Sequence, residues 1–214
     1  MRLTDIRSLK SGATVVALVS LLFAGCAGNP PAPETTGNLD ENGQHIPVPN
    51  PYLVQPGSVP AAAQKALANA RNLFQQQQFA AAEAELLQVV EQWPQLSGAW
   101  LNLAKVQLKL EKAEQAESSL QQAVAANEDN VFAWNTLGVL LRDQGRFEEA
   151  QGAYENALQR WPDFVAAHRN LGILFDLYLH EPEQALQHYR AAQALQTEED
   201  RVLAGWIVDL ERRM

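Results

Sequence analysis

From about residue 63 onward, apolar positions recur every three to four residues in short stretches, the spacing of one face of an α-helix. The stretches come in pairs separated by a polar turn, and the pairs repeat with a period of 34 residues. The third unit, Val131 to Phe164, carries Trp134, Leu137-Gly138, Leu141, Gly145, Phe147, Ala150, Tyr154, Ala157 and Pro162. The unit before it places Trp100, Leu103-Ala104, Ala116, Leu120 and Ala123 at matching offsets, and the first unit places Ala70, Phe79, Ala82, Leu86, Val89 and Pro94. The fourth matches with Leu171-Gly172 and Phe175, then slips by one residue to Ala185, Tyr189 and Ala192. The extra residue falls near Leu179-His180-Glu181-Pro182, where a turn between helices is expected to accept it.

The small residues predict where paired helices cross: Ala70, Ala104, Gly138 and Gly172 on the first helix of each unit, Ala82, Ala116, Ala150 and Ala185 on the second. Small side chains there let two axes approach to the short end of the ~8–10 Å range. A ninth helix is expected to close the stack. Thr197-Glu-Glu-Asp200 has the form of a capping box, and Val202, Leu203, Trp206, Ile207 and Leu210 form its apolar stripe. Four units in phase, over about 150 residues, resemble the tetratricopeptide-repeat (TPR) family. The resemblance implies an all-α fold, a right-handed solenoid of about four helix-turn-helix repeats plus a C-terminal capping helix.

Residues 60–214 are therefore expected to form the repeat domain, and what precedes them has another character. Arg2, Arg7 and Lys10 are followed by an apolar run from Ala13 to Phe23, too short to span a bilayer, which takes ~20 apolar residues. Residues 1–25 read as a secretory signal. Phe23-Ala24-Gly25-Cys26 resembles the lipobox of bacterial lipoproteins, with Phe23 where Leu is usual. The resemblance implies that Cys26, the single cysteine, is acylated. By likeness to proteobacterial lipoproteins, Ala27 after the cysteine implies the outer membrane, with the domain facing the periplasm. Eight of the eleven prolines fall between Ala27 and Pro60, with no Lys or Arg, so residues 26–59 are expected to be a disordered Pro-rich tether.

The net charge of −9 argues against nucleic acid as a partner, since phosphate binding needs Lys and Arg. One cysteine excludes an intrachain disulfide and a cysteine metal cluster. No G-x-S-x-G, P-loop, G-x-G-x-x-G or H-E-x-x-H motif occurs. No catalytic site, cofactor or metal is expected. His168 stands where earlier units have tryptophan and is read as a packing residue; His180 and His188 lie on different elements with no third ligand.

In TPR proteins the first helix of each unit lines a concave groove that holds peptides or partner helices. Carried over, that implies a site formed by Arg71 and Phe74, then Leu101, Lys105, Leu108 and Lys109, then Phe132, Asn135, Val139 and Arg142, then Arg169 and Ile173. With Asp143 and Asp176 also there, the groove holds five cations and two acids on an acidic body. The expected occupant is a protein segment with acidic residues or a free carboxylate. That the cations merely solvate a helix face remains an equal alternative. The function expected is a protein-binding adaptor or scaffold for a cell-envelope machine serving pilus or secretin assembly, peptidoglycan hydrolase recruitment or a TonB-type system. An enzyme using Asp143 and Asp176, or a passive oligomerisation module, stands as the alternative.

Overall fold

The apolar stripes become helices in the expected places. The computed structural model describes residues 39–54 and 57–214. Cys26, the expected signal and the first part of the expected tether lie outside the described residues. A single turn, α1 (Pro51–Val54), precedes four helix pairs: α2 (Ala61–Gln75) with α3 (Phe79–Gln92), α4 (Ser97–Lys109) with α5 (Ala113–Ala126), α6 (Val131–Asp143) with α7 (Phe147–Arg160), and α8 (Val165–Leu174) with α9 (Pro182–Ala194). A last helix, α10 (Arg201–Arg213), packs on α9. From α2 onward each helix lies against the next, so neighbouring units share their cores: one cluster joins α2 and α3 to α4, and a larger one runs from α4 to α10. The fold is all-α, as the resemblance implied, and no described helix is long and apolar enough to cross a membrane.

The eight small crossing residues are all buried. In the third and fourth units glycine replaces alanine on the first helix, and tyrosine replaces leucine on the second. A Cβ at Gly138 would lie 2.5 Å from Tyr154 Cε1, and Gly172 meets the Tyr189 ring in the same way. Within each pair the turn needs one residue in the left-handed region, filled by Gln77, Glu111, Gly145 and His180. Adjacent units are joined by a repeated ion pair: Lys112 Nζ reaches Glu83 at 2.6 Å, and Arg146 reaches Glu117 at 2.8 Å. A second repeated bond runs from the first helix to the preceding inter-unit turn. Trp100 Nε1 donates to Pro94 O, Trp134 Nε1 to Glu128 O, and His168 Nε2 to Pro162 O.

Three expectations need correction. The extra residue of the fourth unit is not taken up by the turn. The end of the first helix widens into a π-helix, Phe175–Leu179, and the left-handed residue moves one place on, to His180. The capping helix starts from Asp200, whose carboxylate accepts the N–H groups of Val202 and Leu203; the Thr197 capping box does not form. Its buried stripe is Leu203, Ile207 and Leu210, while Val202 and Trp206 are exposed. Finally, residues 39–54 do not behave as a disordered tether. Asp40 closes a turn by accepting from the N–H of Asn42 and Gln44, Asn50 caps α1, and the segment binds the repeat domain.

A candidate partner-binding groove

The first helices α2, α4, α6 and α8 carry the positions assigned to the groove. On α2, Arg71 is exposed and Phe74 is half-buried, edge-on to Phe79 at 5.3 Å. On α4, Lys105 and Lys109 are exposed and Leu108 is half-buried against the core. Leu101 corrects the expected set: it is 5% exposed and belongs to the core shared with α5 and α6, so it offers a partner no contact area. On α6, Val139 is half-buried, Phe132 sits among aromatic rings, and Asn135 accepts a 2.8 Å hydrogen bond from Asn170 Nδ2 of α8. Ile173 of α8 is half-buried.

The five cations divide into two groups. Arg142 is held by its neighbour Asp143 at 2.9 Å, and Arg169 pairs with Asp200 at the start of α10. Asp176 is taken up by Arg213 of α10 at 2.9 Å. The fourth unit therefore has its groove charges neutralised by the capping helix, which the sequence did not reveal. Arg71, Lys105 and Lys109 have no ion pair among the described residues. Neighbouring side chains desolvate the Lys105 ammonium and lower its pKa. An anion brought beside that ammonium would relieve the desolvation.

The face assigned to the groove also carries a segment of this chain, one in which His45, Tyr52 and Leu53 have the residue types of a short docking motif but whose proline-rich composition favours a plain linker. The segment ahead of α1 crosses that face near the starts of α4 and α6. Val48 is clamped through its main chain: its N–H donates to Asp163 Oδ2 at 2.6 Å, and its carbonyl accepts from Trp161 Nε1 at 2.7 Å. The His45 imidazole lies 2.9 Å from the same carboxylate oxygen. Tyr52 meets Phe132 edge-on at 6.2 Å, and its hydroxyl lies over Gly98, where a Cβ would be 2.7 Å away. Burial there raises the Tyr52 phenol pKa. Trp161 stacks on Phe164, and both face Phe132. A lone proline-rich run carries no periodicity to announce such docking, and residue types such as His45 and Tyr52 do not by themselves point to Trp161 and Asp163 as their partners.

Inside the fourth unit the structure brings His168 to His188, with their Nδ1 atoms 3.0 Å apart. His180, read beside His188 in the sequence, serves as the left-handed end of the π-helix. No group of three or more His, Cys, Asp or Glu among the described residues could hold a metal ion. Asp143 and Asp176 stand in separate ion pairs on successive units and do not converge.

Comparisons with known proteins agree with this architecture. The peroxisomal targeting signal receptor of Candida albicans is 38% identical over 63 residues, 29% of this chain and 11% of that protein. Its counterpart in Saccharomyces cerevisiae is 42% identical over 53 residues, 25% of this chain and 9% of that protein. The chain thus spans only about a tenth of these relatives' length. Among solved structures, PilF of Pseudomonas aeruginosa superposes with a TM-score of 0.64 at 23% identity, over 71% of this chain and 68% of PilF. MamA superposes with 0.58 at 20% identity, over 62% and 77% of the two chains. YrrB, described as a TPR protein with an unusual peptide-binding site, does so with 0.58 at 23% identity, over 69% and 75%. At these identities the likeness speaks for the fold. The family described as the tetratricopeptide repeat protein 21 C-terminal ARM domain matches residues 54–177, more than half of the sequence, and the chain belongs to that tetratricopeptide-repeat family.

Proposed function

We propose that this protein is an adaptor of the cell envelope, acylated at Cys26, held at the outer membrane on its periplasmic side, and binding a protein partner in the groove of its repeats. The observation that carries the binding role is the charge left over on α2 and α4. Arg71, Lys105 and Lys109 are unpaired among the described residues of a chain whose net charge is −9, and Phe74 and Leu108 beside them are only half-buried. The partner offers acidic side chains or a terminal carboxylate next to an apolar anchor. A repeat solenoid suits this task, since it presents an extended surface without needing a catalytic constellation. YrrB, with its peptide-binding site, is a precedent for the fold used in this way. The choice among envelope machines rests on the partner's identity. In this reading the repeat protein itself is non-catalytic and takes no cofactor, whatever chemistry its partner performs.

Photo-crosslinking from position 105 in cells identifies the partner, and calorimetry with the captured protein then tests the contact. Lys105→Glu is expected to weaken binding by about tenfold, which is ~1.4 kcal/mol. Wild-type affinity should fall as salt is raised from ~0.1 M to ~1 M, because the screening length shrinks from ~10 Å to ~3 Å. Affinity indifferent to both changes would assign the cations to a solvated helix face.

A further inference from the structure

Residues 45–52 touch the repeat domain in the manner of a bound peptide. Val48 spends both of its main-chain groups on Asp163 and Trp161, leaving its side chain free of that task. Three residues before it, His45 shares the Asp163 carboxylate; four residues after it, Tyr52 fills the notch over Gly98 beside Phe132. Every receiving group lies on the repeats, from α4, α6 and the turn between α7 and α8. That turn is unlike its equivalents: the earlier two have Trp93 with Gln95 and Asn127 with Asp129, and only the third pairs an indole donor with a carboxylate.

The occupant fits incompletely. Asn50 is only 7% exposed, yet its Nδ2 has no hydrogen-bond partner, and Leu53 and Val54 stand in solvent. A buried donor left unsatisfied forfeits its hydrogen bond to water and gains none in return. The polar contacts that oppose this cost are one neutral hydrogen bond, from the Trp161 indole, and two contacts with the Asp163 carboxylate. The internal segment thus leaves one buried donor unmet, and a free segment without that defect would compete with it.

We propose that this surface is an extended-peptide site which the protein fills with its own residues 45–52, and that a partner segment of the same chemistry binds by displacing them. The partner's stretch is proline-flanked, with one residue clamped by its main chain, an imidazole or cation three positions before it, and a tyrosine four positions after it. The inference rests on the adaptor reading of the repeat face, but on a different part of it from Lys105.

The test uses the full chain and a fluorescent synthetic peptide with the sequence of residues 44–54. Val48→Pro/Tyr52→Ala weakens the internal segment without touching the receiving residues. This variant is expected to bind the peptide about tenfold or more tightly than the wild type by fluorescence anisotropy. Adding Gly98→Ala, which closes the tyrosine notch, or Trp161→Phe, which removes the indole donor but keeps a ring, should reverse most of that gain. Hydrogen exchange on the wild type checks the starting state, where the Val48 amide should be protected at dilutions that keep the chain monomeric. Equal peptide binding by wild type and weakened chain, indifference to Gly98→Ala and Trp161→Phe, or protection found only in a dimer would each overturn the proposal. A chain that captures its partner through Lys105 but ignores the peptide would overturn this inference and leave the adaptor reading standing.

Discussion

At Gly138 the backbone of α6 comes so close to the Tyr154 ring that an added methyl group would lie 2.5 Å from Cε1. The second unit solves the same crossing with Ala104 and Leu120, both buried. Gly138→Ala gains up to ~1 kcal/mol of helix propensity but forces the ring aside, and overpacking of this kind costs about 1–3 kcal/mol. Net destabilisation is expected in urea denaturation, and the Gly138→Ala/Tyr154→Leu double variant should recover about 1 kcal/mol or more relative to the sum of the single changes. Strict additivity would show that the ring moves aside freely. The histidine pair offers a second handle. Pro162 O can only accept, so His168 Nε2 carries its hydrogen, His168 Nδ1 is the acceptor, and His188 Nδ1 donates to it. Both rings are neutral. Burial lowers both pKa values, with His188 pushed down to about 3 and the His168 ring adding to that shift. Well above pH 6.5 neither the folded nor the unfolded chain binds these protons, so this contribution to stability is fully present there. As pH falls below 6.5 the unfolded chain takes them up first, and stability drops by up to ~1.4 kcal/mol per pH unit for each histidine. Loss between pH 7 and pH 5 is the expected signature, measured by urea midpoints, and His188→Gln should reduce that slope by about one proton. The Leu203 N–H lowers the pKa of Asp200 and the Arg146 guanidinium that of Glu149, so these carboxylates act only at more acid pH. An unchanged slope in the variant would remove the histidines as its cause.

Among the elements, the helices legible in the sequence are those whose information is local and repeated. The 34-residue period carried both apolar stripes and the small crossing residues, so α2 to α9 and their pairing followed from it. The one-residue slip of the fourth unit was visible, but its place was not. An extra residue reads the same whether a loop accepts it or a helix widens, and here Leu174 and Phe175 stay buried while the wide turn carries Leu177 and Tyr178 outward. The last helix shows a conflict between two local signals. Thr197 and Asp200 are both good caps, and Asp200 prevails because its carboxylate also meets Arg169 of α8, a contact no local pattern contains. The groove divides in the same way. Its helix faces were legible from the repeat, whereas the pairing of its charges was not, because Asp200 and Arg213 come from the capping helix. Residues 45–52 were illegible for the same reason. Their partners Trp161 and Asp163 lie more than 100 residues away, and the proline-rich composition that suggests disorder describes only what the segment does alone.

On the scale of the whole molecule, docking of residues 45–52 leaves fewer residues of chain between Cys26, the proposed anchor, and the first contact with the repeats. A chain free up to Ala61 spans at most about 120 Å, whereas one clamped from His45 spans at most about 65 Å. Removal of residues 1–25 would leave a net charge of −11, so the protein surface as a whole is repelled by anionic headgroups. Under the proposed anchoring, attachment depends on the acyl chains alone. Each buried CH₂ contributes ~0.8 kcal/mol; one chain holds only marginally, and two or more hold stably. Cys26→Ser is therefore expected to move the protein from the membrane fraction to the soluble periplasmic fraction, with the repeat domain still folded by its helical circular dichroism. A high-salt wash should leave the wild type in the membrane pellet, because no charge attraction is available to screen, and mass spectrometry of that material should find Cys26 acylated at the mature N-terminus. Retention of Cys26→Ser in the pellet, or an unmodified thiol in the wild type, would assign attachment to another part of the chain or to a membrane-bound partner.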